Sequence, residues 1–187
     1  MKALIIVMKE RRAILDTLYE AIGKGFENFE LLRLTSDEQS HLSKSLNSHP
    51  TQNYDRIIIA SRIKRLLPQK RWLARTPGIV FLEYDAWQNY AEDSEYKGAY
   101  SALYSSLPAC RVISSGYQTS QKLSSEGVDC AFVPKGFDER AIENRNALRD
   151  IPIGFLGSTN HGDYKRRVET LERIRRRTPL HVARTES

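Results

Sequence analysis

The chain has 187 residues, 28% of them charged and 40% hydrophobic, with a formal net charge of +6 and a sequence pI near 9.4. At a soft scale of roughly 150 residues per domain, that length holds one core and a piece of a second. No apolar run approaches the ~18 residues that span a bilayer, and Cys110 and Cys130 are too few for a disulfide framework. Lys2 to Met8 is a short apolar run that suits a buried parallel strand. Its uncharged part, Ala3 to Met8, is shorter than a signal-peptide core, and charge follows it at once. Ile14, Leu15, Leu18, Tyr19 and Ile22 recur at helical spacing, and Gly23 and Gly25 end that helix. Phe29 to Leu34 reads as the second strand. Ser36 and Gln39 form a capping-box pattern that starts a second helix, with Leu42 and Leu46 on its apolar side. Arg56 to Ala60 is the third strand. Ile63, Leu66 and Leu67 start a third helix, which Pro68 interrupts or ends. Gly78 to Tyr84 is the fourth strand, Tyr96 to Leu107 a helix, and Arg111 to Ser115 and Cys130 to Val133 the fifth and sixth strands. After the charged linker from Glu139 to Asp150, Ile151 to Leu156 is the seventh strand, Tyr164 to Arg177 a helix and Leu180 to Ala183 the eighth strand.

Strands alternating with helices imply an α/β fold with a parallel sheet and right-handed crossovers. In such sheets ligands sit beyond the carboxyl ends of the strands, which selects three loops. The loop after the first strand carries Lys9 and Glu10. The loop after the fourth carries Tyr84, Asp85, Trp87, Gln88 and Tyr90, the densest chemical cluster in the chain. Carboxylates and amides hydrogen-bond sugar hydroxyls, and flat rings cover the apolar faces of a pyranose. Asp85 is placed to orient or deprotonate an acceptor hydroxyl. The plainer alternative is that Asp85 caps the next helical turn, with Trp87 and Tyr90 packed under it. The loop after the seventh strand carries Gly157, Ser158 and Thr159 ahead of a helix with Lys165, Arg166 and Arg167. Backbone N–H groups at a helix start, joined by cations, suit a diphosphate. An ordinary strand-to-helix turn with a solvated basic helix fits the same residues.

The positive charge is spread over Lys9 to Arg12, Arg62 to Arg75 and Lys165 to Arg177. No zinc spacing or RNA-binding aromatic signature accompanies it, so nucleic acid is not the expected partner. The basic, Trp-containing segment from Arg62 to Arg75 has the character of an interfacial helix and is a candidate for peripheral membrane contact. A surface helix packed through Ile63, Leu66 and Leu67 explains it equally. The four histidines make no metal-ligand spacing, and no metal site is expected. The two cysteines flank predicted buried strands and read as reduced packing residues, as in a cytoplasmic protein.

Pro134, Lys135, Gly136, Phe137 and Asp138 close the sixth strand, and the strand IPIGFLGST follows the linker. This arrangement resembles the middle of glycosyltransferases with the GT-B fold, especially those like glycosyltransferase family 4. The order of elements resembles that family over the whole chain, and the motifs do so from about Arg111 to Arg167. The resemblance implies a Rossmann-like parallel sheet flanked by helices, with an incomplete second Rossmann-like unit. Residues 1–138 would be the acceptor-side domain, 139–150 the linker and 151–187 the first strand-helix-strand of the donor domain. Lys135, Gly136, Phe137 and Asp138 would lie between domains. Gly157, Ser158 and Thr159, with Lys165 or Arg166, would face the donor diphosphate, while Asp85, Lys9, Glu10, Tyr84, Trp87, Gln88 and Tyr90 would face the acceptor. The family commonly has a His-Asp pair where this chain has Tyr84-Asp85, and its Gly-x-Leu-x-x-x-Lys-Gly run is absent. The expected reaction moves a sugar from a nucleotide-sugar, a substrate and not a cofactor, to a glycan or lipid-linked glycan hydroxyl. The expected location is the cytoplasm, including the inner membrane face. The alternatives are a non-catalytic α/β binding module, with residues 151–187 paired to the edge of the first sheet, and a nucleic-acid-binding accessory domain.

Overall fold

A computed structural model of the chain describes residues 1–9, 13–136, 150–157, 159 and 165–183, and for 13–16 the backbone alone. The chain forms two compact units, Met1–Glu139 and Arg140–Ser187. The first is an α/β unit with a Rossmann-like parallel sheet flanked by helices. Its strands are β1 (Lys2–Met8), β2 (Asn28–Leu34), β3 (Arg56–Ile59), β4 (Ile79–Glu83), β5 (Arg111–Ser114) and β6 (Cys130–Phe132), in the spatial order β2-β1-β3-β4-β5-β6. Every pairing between them is parallel.

Register explains why β1 is apolar throughout. Leu4 stands opposite Ile57, Ile5 opposite Ile58 and Ile6 opposite Ile59, so alternate residues feed opposite faces. Leu4, Ile6, Ile57, Ile59, Phe81 and Val112 enter one core, while Ile5, Val7, Ile58 and Leu82 enter the other. The second face is covered by α1 (Ala13–Gly23), through Tyr19 and Ile22. The first face is covered by α2 (Ser36–Ser40), α3 (Leu42–Ser45), α4 (Ile63–Leu66), α5 (Lys70–Leu73), α6 (Ala99–Tyr104) and α7 (Tyr117–Ser125). They contribute Leu42, Ile63, Leu66, Leu73, Tyr100, Leu103, Tyr104 and Leu123 to it. Burying one such aliphatic side chain stabilises by about 1.5–3 kcal/mol. Phe81 and Tyr104 pack ring to ring with centroids 5.1 Å apart.

Several elements differ from the sequence expectation in ways that have local causes. The capping box of α2 is one residue earlier than Ser36 and Gln39. Thr35 Oγ1 accepts from the Glu38 backbone N–H at 3.3 Å, and Glu38 Oε2 accepts from the Thr35 N–H at 2.7 Å. Gln39, freed from that task, is fully buried. The third helix is three short pieces: α4, a tight turn at Leu67–Gln69 around Pro68, and α5. The sixth helix begins only at Ala99, because Gly98 holds φ +73° before it. Gly78, also at positive φ, turns the chain into β4 where a Cβ would lie 2.6 Å from the Asp55 carbonyl oxygen. Both cysteines are free, and burial pushes both thiols up, that of Cys130 to about 11.

In the second unit β7 (Gly154–Leu156) pairs in parallel with β8 (His181–Ala183) in a two-stranded sheet of its own. The strand starts at Gly154 and not Ile151; Pro152 has no N–H to give a ladder. The helix α8 (Lys165–Arg175) has no buried residue. Arg167 stacks its guanidinium 5.9 Å from the Phe155 ring centroid. Among the described residues no helix is long and apolar enough to cross a membrane.

Candidate functional site

The order in which strands are added reverses between β1 and β3: β2 lies on one side of β1, and β3 to β6 lie on the other. Parallel sheets bind ligands beyond the carboxyl ends of the strands at such a switch point. A pocket of about 110 Å³ opens there, walled by Met8 from the end of β1, Ser61, Arg62 and Arg65 from beyond β3, and Glu83 to Asp85 from β4. Gln39 of α2 and Tyr19 of α1 close its sides. A second pocket of about 200 Å³ lies alongside, lined by Arg62, Lys64, Asp85, Gln88, Glu95, Tyr96 and Tyr100. Arg62 and Asp85 line both, so the two form one crevice with Asp85 at their junction. Each alone is smaller than the roughly 300–1,000 Å³ of a complete small-molecule site.

The loop that carries Asp85 is fixed at both ends. At its start Glu83, only 5% exposed, accepts from the Tyr104 hydroxyl at 2.6 Å and from the Asp85 N–H at 2.7 Å. Burial raises the Glu83 carboxyl above its ordinary range, and the hydrogen bonds from Tyr104 and Asp85 only partly oppose it. At the far end the buried Asn89 Oδ1 accepts from the Tyr100 and Ser101 N–H groups, at 3.0 and 3.2 Å, and so caps α6 from outside. The Asn89 carbonyl accepts from the Gly98 N–H. Between these anchors Asp85 sits exposed before the turn Ala86–Asn89, where its side chain makes no capping hydrogen bond. The plain capping role is therefore unfilled.

The other expected residues divide. Tyr84 is half-buried in the first pocket, and its ring lies 4.9 Å from the Lys135 ammonium. Gln88 lines the second pocket. Trp87 is 59% exposed and lines neither pocket, and it is not packed under the turn. Tyr90 is half-buried against the core, with the Lys122 ammonium 4.7 Å from its ring. Lys9 is exposed beyond β1, its N–H bonded to the Leu34 carbonyl at 2.7 Å, and it lines neither pocket. Glu10, Phe137, Asp138 and Ser158 lie outside the described residues, and Gly136 is exposed after β6. In the second unit the Gly157 N–H donates to the Ala183 carbonyl at 3.1 Å, so it closes the β7–β8 ladder. Thr159 is half-buried, and Lys165 and Arg166 are exposed on the first turn of α8.

Sequence reasoning passed over Gln39, Ser61, Arg65, Glu83, Tyr96 and Tyr100 as site residues. The carboxyl-end rule, applied to the third strand as it was to the fourth, selects Ser61 and Arg62. Arg65 belongs to the basic segment read as interfacial, yet it is 7% exposed, with its guanidinium on Ser36 Oγ at 3.1 Å and the Met8 sulfur at 3.4 Å. Glu83 was a visible signal too, an acid ending the apolar run IVFLE. Among the described residues no group of three or more His, Cys, Asp or Glu side chains is placed to hold a metal ion. Compared with family models, curated proteins and solved structures, the chain matches none significantly.

Proposed function

We propose that the chain belongs to a GT-B-like glycosyltransferase and that its first unit is the acceptor side. The observation that carries this reading is Asp85, exposed at the junction of two pockets beyond the ends of β1, β3 and β4. A carboxylate so placed accepts the proton of an acceptor hydroxyl as a sugar is transferred to it. Gln88 and the phenols of Tyr84 and Tyr96 supply the amide, hydroxyl and flat apolar surfaces that a pyranose requires. Glu83 and Asn89 hold the loop in place, so little ordering is left to be done on binding. Trp87, exposed two residues after Asp85, covers a further sugar face. The donor is a nucleotide-sugar whose diphosphate is held by the second unit, through Thr159 and Lys165 or Arg166. Catalysis then rests on positioning and on stabilising the leaving diphosphate.

NMR titration of the full chain with neutral oligosaccharides tests the acceptor side. The expected result is resonance shifts at Asp85, Gln88 and Tyr96, weakened about fivefold or more in Asp85→Asn with an unchanged melting temperature. Shifts confined to other faces of the first unit would sink the reading.

A further inference from the structure

The wall of the first pocket nearest β3 has a chemistry that a neutral sugar does not need. Gln39 is 0% exposed and lines the pocket. Its Oε1 accepts from the Ser61 hydroxyl at 2.7 Å and faces Arg65 Nη1 at 3.5 Å. Two donors on the oxygen fix the orientation of the amide, and its Nε2 is left buried with no hydrogen-bond partner. Buried polar groups are seldom left so, and an acceptor atom that enters the pocket would satisfy it. Arg65 lines the same wall, with hydrogen bonds to Ser36, Met8 and Gln39. Arg62 lines the pocket mouth and forms no ion pair among the described residues. The guanidinium of Arg62 and a buried amide N–H line one pocket with Arg65, a set of donors that an oxyanion would satisfy, while the Ser61 hydroxyl proton is already given to Gln39. Among the described residues the carboxylates that line this pocket, Glu83 and Asp85, come from the end of β4. Glu83 has both oxygens engaged by Tyr104 and the Asp85 N–H, and Asp85 faces the junction.

We propose that this wall is a subsite for an anionic group, a carboxylate or a phosphate, carried by the acceptor next to the hydroxyl that receives the sugar. The inference rests on the acceptor-side reading and names the class of acceptor. The anion sits on Arg62 and Gln39 Nε2, with Arg65 on the same wall, and the neighbouring hydroxyl points across the pocket to Asp85. A uronic acid or a sugar phosphate has both groups in one small molecule.

The test is an NMR titration of the full chain with glucuronate, glucose 6-phosphate, glucose, inorganic phosphate and uridine diphosphate. Glucuronate or glucose 6-phosphate should bind at least about fivefold more tightly than glucose and shift the Gln39 side-chain amide and Arg62. Arg62→Gln, at an exposed position, should weaken the charged sugars about tenfold and change glucose by less than about twofold. Gln39→Glu, which keeps the shape and adds a negative charge, should weaken them further while the melting temperature stays within a few degrees. Equal binding of charged and neutral sugars at Asp85 would overturn the anionic subsite and leave the acceptor side standing. So would indifference of the charged sugars to Arg62→Gln. Inorganic phosphate binding as tightly as glucose 6-phosphate would overturn the acceptor subsite in favour of a free-phosphate site. Sub-micromolar uridine diphosphate at these residues would overturn the assignment of acceptor and donor sides itself, as would the failure of every sugar to shift Asp85.

Discussion

Strand β1 of the first unit and β7 of the second occupy equivalent places, each the opening strand of a strand-helix-strand unit. Ala3 to Val7 of β1 are all at 0% exposure, between β2 and β3 and under helices on both faces. Leu156 at the end of β7 is 73% exposed, and Ile151 and Ile153 ahead of it are also exposed. The covering helices differ likewise. Tyr19 of α1 is buried, whereas no residue of α8 is. Apolar pattern thus states what a strand is able to bury, and neighbours on both faces decide what it does bury. The crevice in the first unit depends on that difference. Glu83, Asn89 and Arg65 can be held rigidly only because a packed core lies directly beneath them.

The largest expected effect breaks the comparison at its base. Ile6→Ala should cost the first unit about 2–5 kcal/mol by lost transfer energy and a cavity, read as a fall in the denaturant midpoint. Leu156→Ala should stay within about 0.5 kcal/mol, as an exposed substitution does. Comparable losses at the two positions would mean that β7 is covered as β1 is.

Next comes the support under the site. Glu83→Ala strands the Tyr104 hydroxyl and the Asp85 N–H and should cost about 2–3 kcal/mol. The folded-state pKa of Glu83 lies above the ordinary 4.5. Its contribution is therefore full below the unfolded pKa and is lost as the pH rises through the higher folded value. Thermal melts across that window should show stability declining with pH in the wild type, and the decline should shrink in Glu83→Gln. A wild-type melt indifferent to pH above 4.5 would argue that burial does not raise the carboxyl. Smaller still, Gly78→Ala should cost about 1–2 kcal/mol, since a Cβ there combines positive φ with a contact on Asp55. Thr35→Ala should cost about 1 kcal/mol by removing the cap of α2. The smallest effect on stability belongs to Trp87→Ala, which should leave the melting temperature within a degree or two while sugar binding weakens. An unfolded Trp87→Ala protein would return that ring to a packing role.

Much of the scaffold was legible from the chain, because most strands of the described residues announce themselves as apolar runs between turn residues. Helix starts were less so. The capping box fell on Thr35 and Glu38 because two overlapping Ser/Thr-to-Glu/Gln patterns share that stretch, and only packing decides which reaches inward. There Gln39 goes to the core. The fourth-strand loop stands out in the sequence as a candidate site through the density of its side chains, but the wall it faces does not. Arg65 and Gln39 are polar residues in polar-looking helices, and nothing local marks them as buried. Their burial is a product of tertiary packing around the switch point, which brings α2, α4 and the end of β1 together.

The claim that most needs testing is that Asp85 takes the proton from the hydroxyl to which a sugar is transferred. The measurement is the rate of sugar transfer from a nucleotide-sugar to a glycan acceptor by a polypeptide carrying these 187 residues, compared between wild type and Asp85→Asn. The account predicts transfer that falls about a hundredfold in the variant, the scale of a lost general base, with no change in melting temperature. Transfer by Asp85→Asn at the wild-type rate would contradict it.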